Sequence, residues 1–246
     1  MSSDSGDRTI PFITTDQMRE VDRAMIEDYG ISLVQMMENA GRNLAQLARQ
    51  RFLDGDPRGR RVLVLAGTGG NGGGGLVCAR RLHNWGAEVQ VWMTAPSTGL
   101  ADVPLHQLGI LQRMDISIIV AGELPVLPPA DLLVDAIIGY GLTGPPTGLA
   151  ATLIDAANNH GAPILALDVP SGVNTATGAA SGSAIRATAT LTLAMPKAGL
   201  RAETAKQHIG ELYLADISVP PELYGRPPLD LKVANMFAQD EIIRLW

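Results

Sequence analysis

The sequence predicts an α/β chain whose central sheet is mainly parallel and covered by helices on both faces. Three observations carry this expectation. Short aliphatic runs recur along the middle of the chain, at Val62–Leu65, Val89–Met93, Ile116–Val120, Leu132–Ile138 and Ile164–Leu167, and such runs form strands buried on both sides. Stretches of helical period separate them, as in successive strand–helix–strand units. The first run also passes into Gly67–Gly75, where seven of nine residues lack a side chain, before a helical pattern resumes at Leu76–Leu82.

Taken in order, residues 1–12 hold Ser, Asp and Gly without periodicity and read as a flexible arm, leaving 13–246 as one domain. Thr14-x-x-Gln17 is a capping box ahead of Met18, Val21, Met25 and Ile26 at helical spacing, and Gly30 closes that helix. Ser32-x-x-Gln35 opens a second helix, whose apolar stripe runs from Leu33 to Phe52. Inside it, Glu38-Asn39-Ala40-Gly41 is anomalous, because Asn and Gly weaken a helix interior. Close packing and ligand contact are equal readings of it. Asp54–Gly59 is a turn, and Gly86 closes the helix after the glycine-rich stretch. Asp102 caps a helix with Pro104 in its first turn. A second glycine-rich loop, Gly139–Pro146, leads into a helix over Leu149–Asn158. The fifth strand ends in Asp168-Val169-Pro170-Ser171-Gly172, and Ala189–Leu193 and Glu211–Leu214 are later strands. The tail, with its Pro pairs, is expected to wrap the surface. With the two N-terminal helices as an extra layer, the expected fold is a three-layer α/β/α sandwich of Rossmann-like architecture.

Composition removes several function classes. A net charge of −6 argues against a nucleic-acid binder, whose footprint is basic. Arg58, Arg60 and Arg61 form only a solvated turn. The single cysteine, Cys78, leaves no internal disulfide or cysteine-rich metal site and reads as a small buried residue. No apolar run approaches the ~18 residues of a membrane span, and Met1–Arg8 lacks the apolar core of a secretory signal. The expected setting is cytoplasmic.

The chemistry is concentrated at the carboxyl ends of the strands, where open α/β sheets bind ligands. A strand, a glycine stretch and a helix N-terminus aim free amides and the positive end of a helix dipole at one spot, the pattern of a phosphate or pyrophosphate site. A flexible linker would not be framed by a buried strand and an amphipathic helix. Gly67-x-Gly69-x-x-Gly72 satisfies the dinucleotide fingerprint formally, but the acid expected about 20 residues on, after the next strand, is missing. No Lys-Ser/Thr closes the glycines, so a Walker loop fails as well. Asn71, Asp135 and Asp168 all fall at strand ends. Asp135 interrupts an apolar run, a costly place for a charge unless it is paired, hydrogen-bonded or bound to a cation. Either Asp could instead cap its following loop. Oxygen ligands from Asn71, Asp135 and Ser171 could hold a hard cation. His83, His106, His160 and His208 are scattered without metal-ligand spacing, and Ser171 has no accompanying base.

Four patches together resemble the NAD(P)HX epimerase family, also called the YjeF N-terminal domain: Leu33–Gly41, the glycine stretch, Val134–Gly141 and Leu167–Gly172. Ala194-Met195-Pro196-Lys197-Ala198-Gly199 is similar to a further segment of that family. The resemblance runs from about Thr14 to about Ser218 and does not extend to the dehydratase domain often fused to this unit. It implies a Rossmann-like isomerase, often homodimeric, that interconverts the R and S epimers of NADHX and NADPHX, the hydrated reduced cofactors. A separate dehydratase would consume the S form. It implies K+ ligands at Asn71, Asp135 and Ser171. It implies substrate contacts from Gly70, Asn71, Gly72, Gly73 and Gly74, from Gly139, Tyr140, Gly141, Leu142, Thr143, Gly144 and Pro145, and from Asp168. Asp168 is the expected general acid/base, assisting loss of hydroxide to a planar iminium ion that water can re-enter from either face. The family loop typically reads Gly-Asn-Asn-Gly-Gly-Asp-Gly. Here Gly70 replaces its first Asn and Gly74 its Asp, which would remove a carboxylate from the substrate loop. A catalytically weak or inactive nucleotide-binding or scaffold protein of the same fold is therefore the competing reading, marked by tight cofactor binding without turnover. An ordinary NAD-dependent dehydrogenase is disfavoured by the missing ribose acid.

Overall fold

The alternation of aliphatic runs and amphipathic stretches produces an eight-stranded sheet, seen in a computed structural model that describes residues 10–246. The strands are β1 (Arg61–Ala66), β2 (Glu88–Met93), β3 (Ser117–Val120), β4 (Leu132–Ala136), β5 (Ile164–Leu167), β6 (Ala189–Leu193), β7 (Glu211–Ala215) and β8 (Ile242–Arg244). Their spatial order is β3-β2-β1-β4-β5-β6-β7-β8. The first seven pair in parallel, and β8 runs antiparallel to β7. The order reverses at β1 and β4, where the chain switches from building one side of the sheet to building the other. The crevice outside such a switch point is where a doubly wound sheet receives a ligand.

Strand pleating divides β1 between two cores. Val62, Val64 and Ala66 pack against α2 (Leu33–Phe52), α3 (Gly70–Asn84) and α4 (Asp102–Arg113), whereas Leu63 and Leu65 face α5 (Gly148–His160). A third cluster joins α1 (Thr15–Glu27) to α2 and to the C-terminal segment that carries the short α7 (Pro221–Tyr224). The remaining helix, α6 (Lys206–Ile209), precedes β7. The capping boxes are present: Gln17 N–H donates to Thr14 Oγ1 at 3.2 Å, and Ser32 N–H donates to Gln35 Oε1 at 2.8 Å. Cys78 is buried, and Arg58 and Arg60 lie in ion pairs with Asp56 and Asp54 at the surface.

The structure departs from the sequence reading in several places. The glycine stretch is not a loop throughout: α3 begins at Gly70, and only Gly67–Gly69 bridges β1 to it. Gly72, Gly73, Gly74 and Gly75 form helix because neighbours occupy the space their side chains would need. A Cβ on Gly75 would lie 2.5 Å from Ala136 Cβ, and one on Gly41 of α2 only 2.5 Å from the Gly74 carbonyl oxygen. That contact resolves the anomaly in α2 in favour of close helix packing, while Glu38 forms an ion pair with Arg80 at 2.6 Å. Strand β4 ends at Ala136 rather than Ile138, because the Ile137 amide turns back to Asp135. Asp102 is the first residue of α4, with Ala101 at the cap position, and α1 ends at Glu27 before Gly30. His208 is buried, its Nδ1 2.8 Å from the Ile185 carbonyl. Finally, the tail contributes β8, a strand too short to show a period. Most of the N-terminal arm read at residues 1–12 lies outside the described residues; Phe12 stacks on Trp246.

Candidate active site

At the carboxyl ends of β1, β4, β5 and β6 a cleft of about 650 Å³ opens between the sheet and the helices α1 and α2. Its walls are largely apolar, formed by Met18, Met36, Met37, Ile137 and Leu193 among others, with a few polar groups converging on the floor. That composition is usual for a small-molecule site.

The ends of two adjacent strands meet at this cleft; Leu167 and Asp168 line it, whereas Asp135 and Ser171 are not among its lining residues. Asp135, the penultimate residue of β4, is fully buried. Its Oδ1 accepts the Ile137 N–H at 3.2 Å and the Ser171 hydroxyl at 2.6 Å, and its Oδ2 accepts the Ser171 N–H at 2.8 Å. Among the described residues no basic side chain lies within ion-pair distance of it. Burial pushes its carboxyl up to about 6, and the Ser171 and Ile137 donors only partly oppose that. Ser171 Oγ also accepts the Ile138 N–H at 2.8 Å, so Asp135 and Ser171 together pin the entry of the Gly139–Pro146 loop.

Asp168 follows β5 and is equally deep, but its surroundings differ. Its backbone takes φ = 67°, a left-handed conformation that a non-glycine residue adopts only where contacts enforce it. Here the Asp168 N–H is drawn to the Leu191 carbonyl at 2.7 Å, which turns the carboxylate toward the cleft. Lys197 Nζ makes a short ion pair with Asp168 Oδ1, and the Tyr140 N–H donates to Oδ2 at 3.1 Å. Lys197 is itself fully buried; its ammonium also donates to the Leu193 carbonyl at 2.9 Å and lies 3.4 Å from Thr192 Oγ1. Backbone pairing of Ile13 with Pro196 and Ala198 holds the lysine segment in place.

Asn71 lies in the first turn of α3. Its Nδ2 is buried without a hydrogen-bond partner. A Cβ on Gly139 would lie 3.0 Å from Asn71 Oδ1 and 3.2 Å from Asp168 Oδ2, so only a glycine lets this loop pass between the two side chains. Opposite, Tyr140 carries its hydroxyl to Asp22 of α1, to which it donates a short hydrogen bond, while its ring lies 5.8 Å from Lys197 Nζ. Burial raises the Asp22 carboxyl above the usual carboxylate range, the Tyr140 hydrogen bond and the Lys197 charge opposing that rise.

Of the expected substrate-contacting residues, Gly70, Asn71, Gly139, Tyr140, Gly141 and Asp168 line this cleft. Leu142, Thr143, Gly144 and Pro145 lie farther along the loop, outside the lining residues. Gly72, Gly73 and Gly74 turn to packing: a Cβ on them would first meet the Gly67 oxygen at 2.0 Å, Met37 Sδ at 2.5 Å and Leu167 Cδ2 at 2.8 Å. Position 74, where a carboxylate was expected to be missing from the ligand loop, is thus a buried point within α3, packed toward Leu167 of β5. Sequence reasoning overlooked Lys197 and Asp22. Lys197 is the one charged residue between Arg186 and Arg201. Asp22 shares the helical stripe of Met18 and Ile26, four residues away on either side. Each was a charge in an apolar pattern, the same signal that marked Asp135.

These features define a doubly wound α/β protein with a ligand cleft at the topological switch point, one helix N-terminus and a buried carboxylate–ammonium pair facing into it. Within that class the chain belongs to the YjeF-related protein N-terminus family, which it matches over residues 33–199. It is 45% identical over 223 residues to the NAD(P)H-hydrate epimerase of Dehalogenimonas lykanthroporepellens, covering 88% of this chain and 86% of that one. The NAD(P)H-hydrate epimerase of Rhodopirellula baltica is 36% identical over 217 residues, with 87% of each chain covered. The bifunctional NAD(P)H-hydrate repair enzyme Nnr of Salinibacter ruber is 36% identical over 241 residues, 92% of this chain but 44% of that enzyme. In structure the chain is similar to yeast ynu0 (YNL200c), with a TM-score of 0.79 and 24% identity over 96% of this chain and all of the yeast one.

Proposed function

We propose that the protein is an NAD(P)H-hydrate epimerase, interconverting the R and S epimers of NADHX and NADPHX. The observation that carries this reading is the Asp168–Lys197 pair on the floor of the cleft, beside the N-terminus of α3. The substrate carries a hydroxyl on the carbon next to the ring nitrogen. As the C–O bond breaks, a proton from a floor carboxyl leaves with the oxygen as water, and the nitrogen lone pair closes a planar iminium. Return of water to the other face, with loss of a proton to a carboxylate, inverts the centre. Asp168 is the acid/base in this scheme, and Lys197 orients its carboxylate and leaves Oδ2 directed to the loop. Free amides of the Gly69–Asn71 turn and the dipole of α3 suit the pyrophosphate. Apolar walls from Met36, Met37 and Leu193 exclude water from the ring.

The donor set also fits potassium. Asp135 is a buried carboxylate with no cation beside it, the Asn71 amide has a buried unpartnered end, and Ser171 supplies a hydroxyl. All can offer hard oxygen ligands, an amide being free to present either end. Asn71, Asp135 and Ser171 would hold K+, whose charge would offset Asp135 and lock both strand-end loops. A separate dehydratase that consumes the S epimer is consistent with the bifunctional repair enzymes among the relatives; homodimerisation rests on the family resemblance, and a cytoplasmic setting on the composition.

The test is chromatographic. Purified R-NADHX with the protein and potassium is expected to reach the R/S mixture well above the spontaneous rate, with a boiled control remaining at that rate. Cofactor binding seen by calorimetry without acceleration would reassign the protein to a binding module.

A further inference from the structure

Inversion through a planar ion needs proton transfer on both faces of the ring, and one carboxylate on the floor serves one face. The cleft holds a second. Asp22, on α1, is half-buried in the opposite wall, and the two carboxylates stand at the two ends of a single residue. The backbone N–H of Tyr140 bonds Asp168, and its phenolic hydroxyl bonds Asp22. They are therefore separated by about the span of a tyrosine, with open cleft beside the ring.

Their environments contrast. Asp168 is paired to the buried ammonium of Lys197; Asp22 has only the neutral Tyr140 hydroxyl on Oδ2. Among the described residues Asp22 Oδ1 has no hydrogen-bond partner, and Asp22 lines the cleft. Burial, with a smaller contribution from the Asp168 charge, raises the Asp22 carboxyl. Two carboxyls facing one cleft, one ion-paired to a buried ammonium and the other with a neutral partner and a free oxygen, suit the roles of base and acid in one site.

Resting on the epimerase reading above, we infer that Asp22 is a second catalytic acid/base, serving the face of the nicotinamide ring that Asp168 does not reach, with Tyr140 positioning it. In one direction the Asp22 carboxyl gives its proton to the departing hydroxyl; the C–O electron pair leaves with the oxygen as water. The ring-nitrogen lone pair closes the C=N bond. On the far face a water oxygen adds to the carbon, the C=N electrons return to nitrogen, and Asp168 takes the released proton. The opposite epimerisation runs the same steps with the carboxyls exchanged, and solvent in the open cleft restores their protonation between turnovers.

This arrangement separates two measurable events. Oxygen exchange needs departure and return of water on one face; epimerisation needs both faces. R-NADHX and S-NADHX, each labelled with ¹⁸O at the hydroxyl, are followed by mass spectrometry and chromatography in parallel. The wild-type protein is expected to exchange the label from both epimers while epimerising them. Asp22→Asn is expected to lose epimerisation by roughly 100-fold or more, yet to keep oxygen exchange within a few-fold in one epimer only. Asp168→Asn is expected to show the reverse preference. Tyr140→Phe, which keeps the ring over Lys197, is expected to show the Asp22→Asn bias with about a tenfold loss of epimerisation. Parallel loss of exchange in both epimers in Asp22→Asn and Tyr140→Phe, as from structural damage, would overturn the inference, as would wild-type epimerisation in both. Absence of both exchange and epimerisation in the wild-type protein is a different result: it would overturn the epimerase reading itself, and this inference with it.

Discussion

Asp135 and Asp168 end neighbouring parallel strands, both are almost wholly buried, and each accepts a backbone N–H from the loop that follows the other's strand. They differ in one respect. Asp168 has the fully buried Lys197 against it, whereas Asp135 has only neutral donors. A buried charge with a built-in partner is a settled piece of structure whose carboxylate can be aimed. One without a charged partner is costly, and its carboxyl holds a proton more readily. The first arrangement suits a group that acts on a substrate; the second is the one for which a potassium ion is proposed above.

The largest expected effect comes from removing the partner that is present. Lys197→Met strips Asp168 of its counter-charge in a dry site and is expected to cost about 3–5 kcal/mol of stability, read from urea unfolding. Adding Asp168→Asn to that variant should recover much of the loss, because the pair stands or falls as a unit. A non-recovering double variant would mean that Lys197 is held for its packing alone. Next comes the potassium ion proposed for Asp135. Replacing sodium by potassium at constant ionic strength should raise the melting temperature of the wild-type protein, since a ligand that binds only the native state stabilises it. Asp135→Asn should melt at one temperature in both salts. Equal sensitivity of the variant would place any potassium effect elsewhere.

The smallest effect concerns Asp22, which lies between the two extremes with a neutral partner and partial exposure. Its native carboxyl holds a proton more tightly than in the unfolded chain, where an aspartate has its ordinary value of 3.8. The stability it contributes is therefore fully present below that value and is lost as pH rises through the higher native one. Asp22→Asn cannot ionise, so its stability relative to wild type should rise between pH 4 and pH 7. A difference independent of pH would show that Asp22 feels no net burial.

Most of the sheet was legible because parallel strands buried on both faces leave largely apolar runs: those of β1 and β5 are unbroken, and those of β2 and β4 are interrupted only by Gln90 and Asp135. Strand β8 was not, since three residues on an edge carry no period and owe their extension to β7. The start of α3 was misjudged because glycine density reads as loop when only propensity is considered. The helix exists there because α2, β4 and β5 crowd it, a tertiary cause that the local sequence does not hold. Asp135 and Asp168 stood out as charges at strand ends. Lys197 escaped notice although it is the one charge in an otherwise uncharged segment similar to the family, because a lysine after a strand is ordinarily a surface residue. Asp22 escaped because its neighbours made the helix amphipathic without it.

The glycine-built opening of α3 has a consequence for the order in which the protein folds. Five of its first six residues are glycine, each costing about 1 kcal/mol relative to alanine in a helix. That turn has no stability of its own and cannot nucleate ahead of its surroundings. It winds only as α2 and the ends of β4 and β5 close on it, so the amides at its start are in place no earlier than that packing. In the finished protein the same turn is the first stretch of α3 to open, and amide exchange there should slow when the cleft is filled. Its neighbours in α2, β4 and β5 thus act as the missing side chains of this helix, supplying from outside the cohesion that its glycines give up.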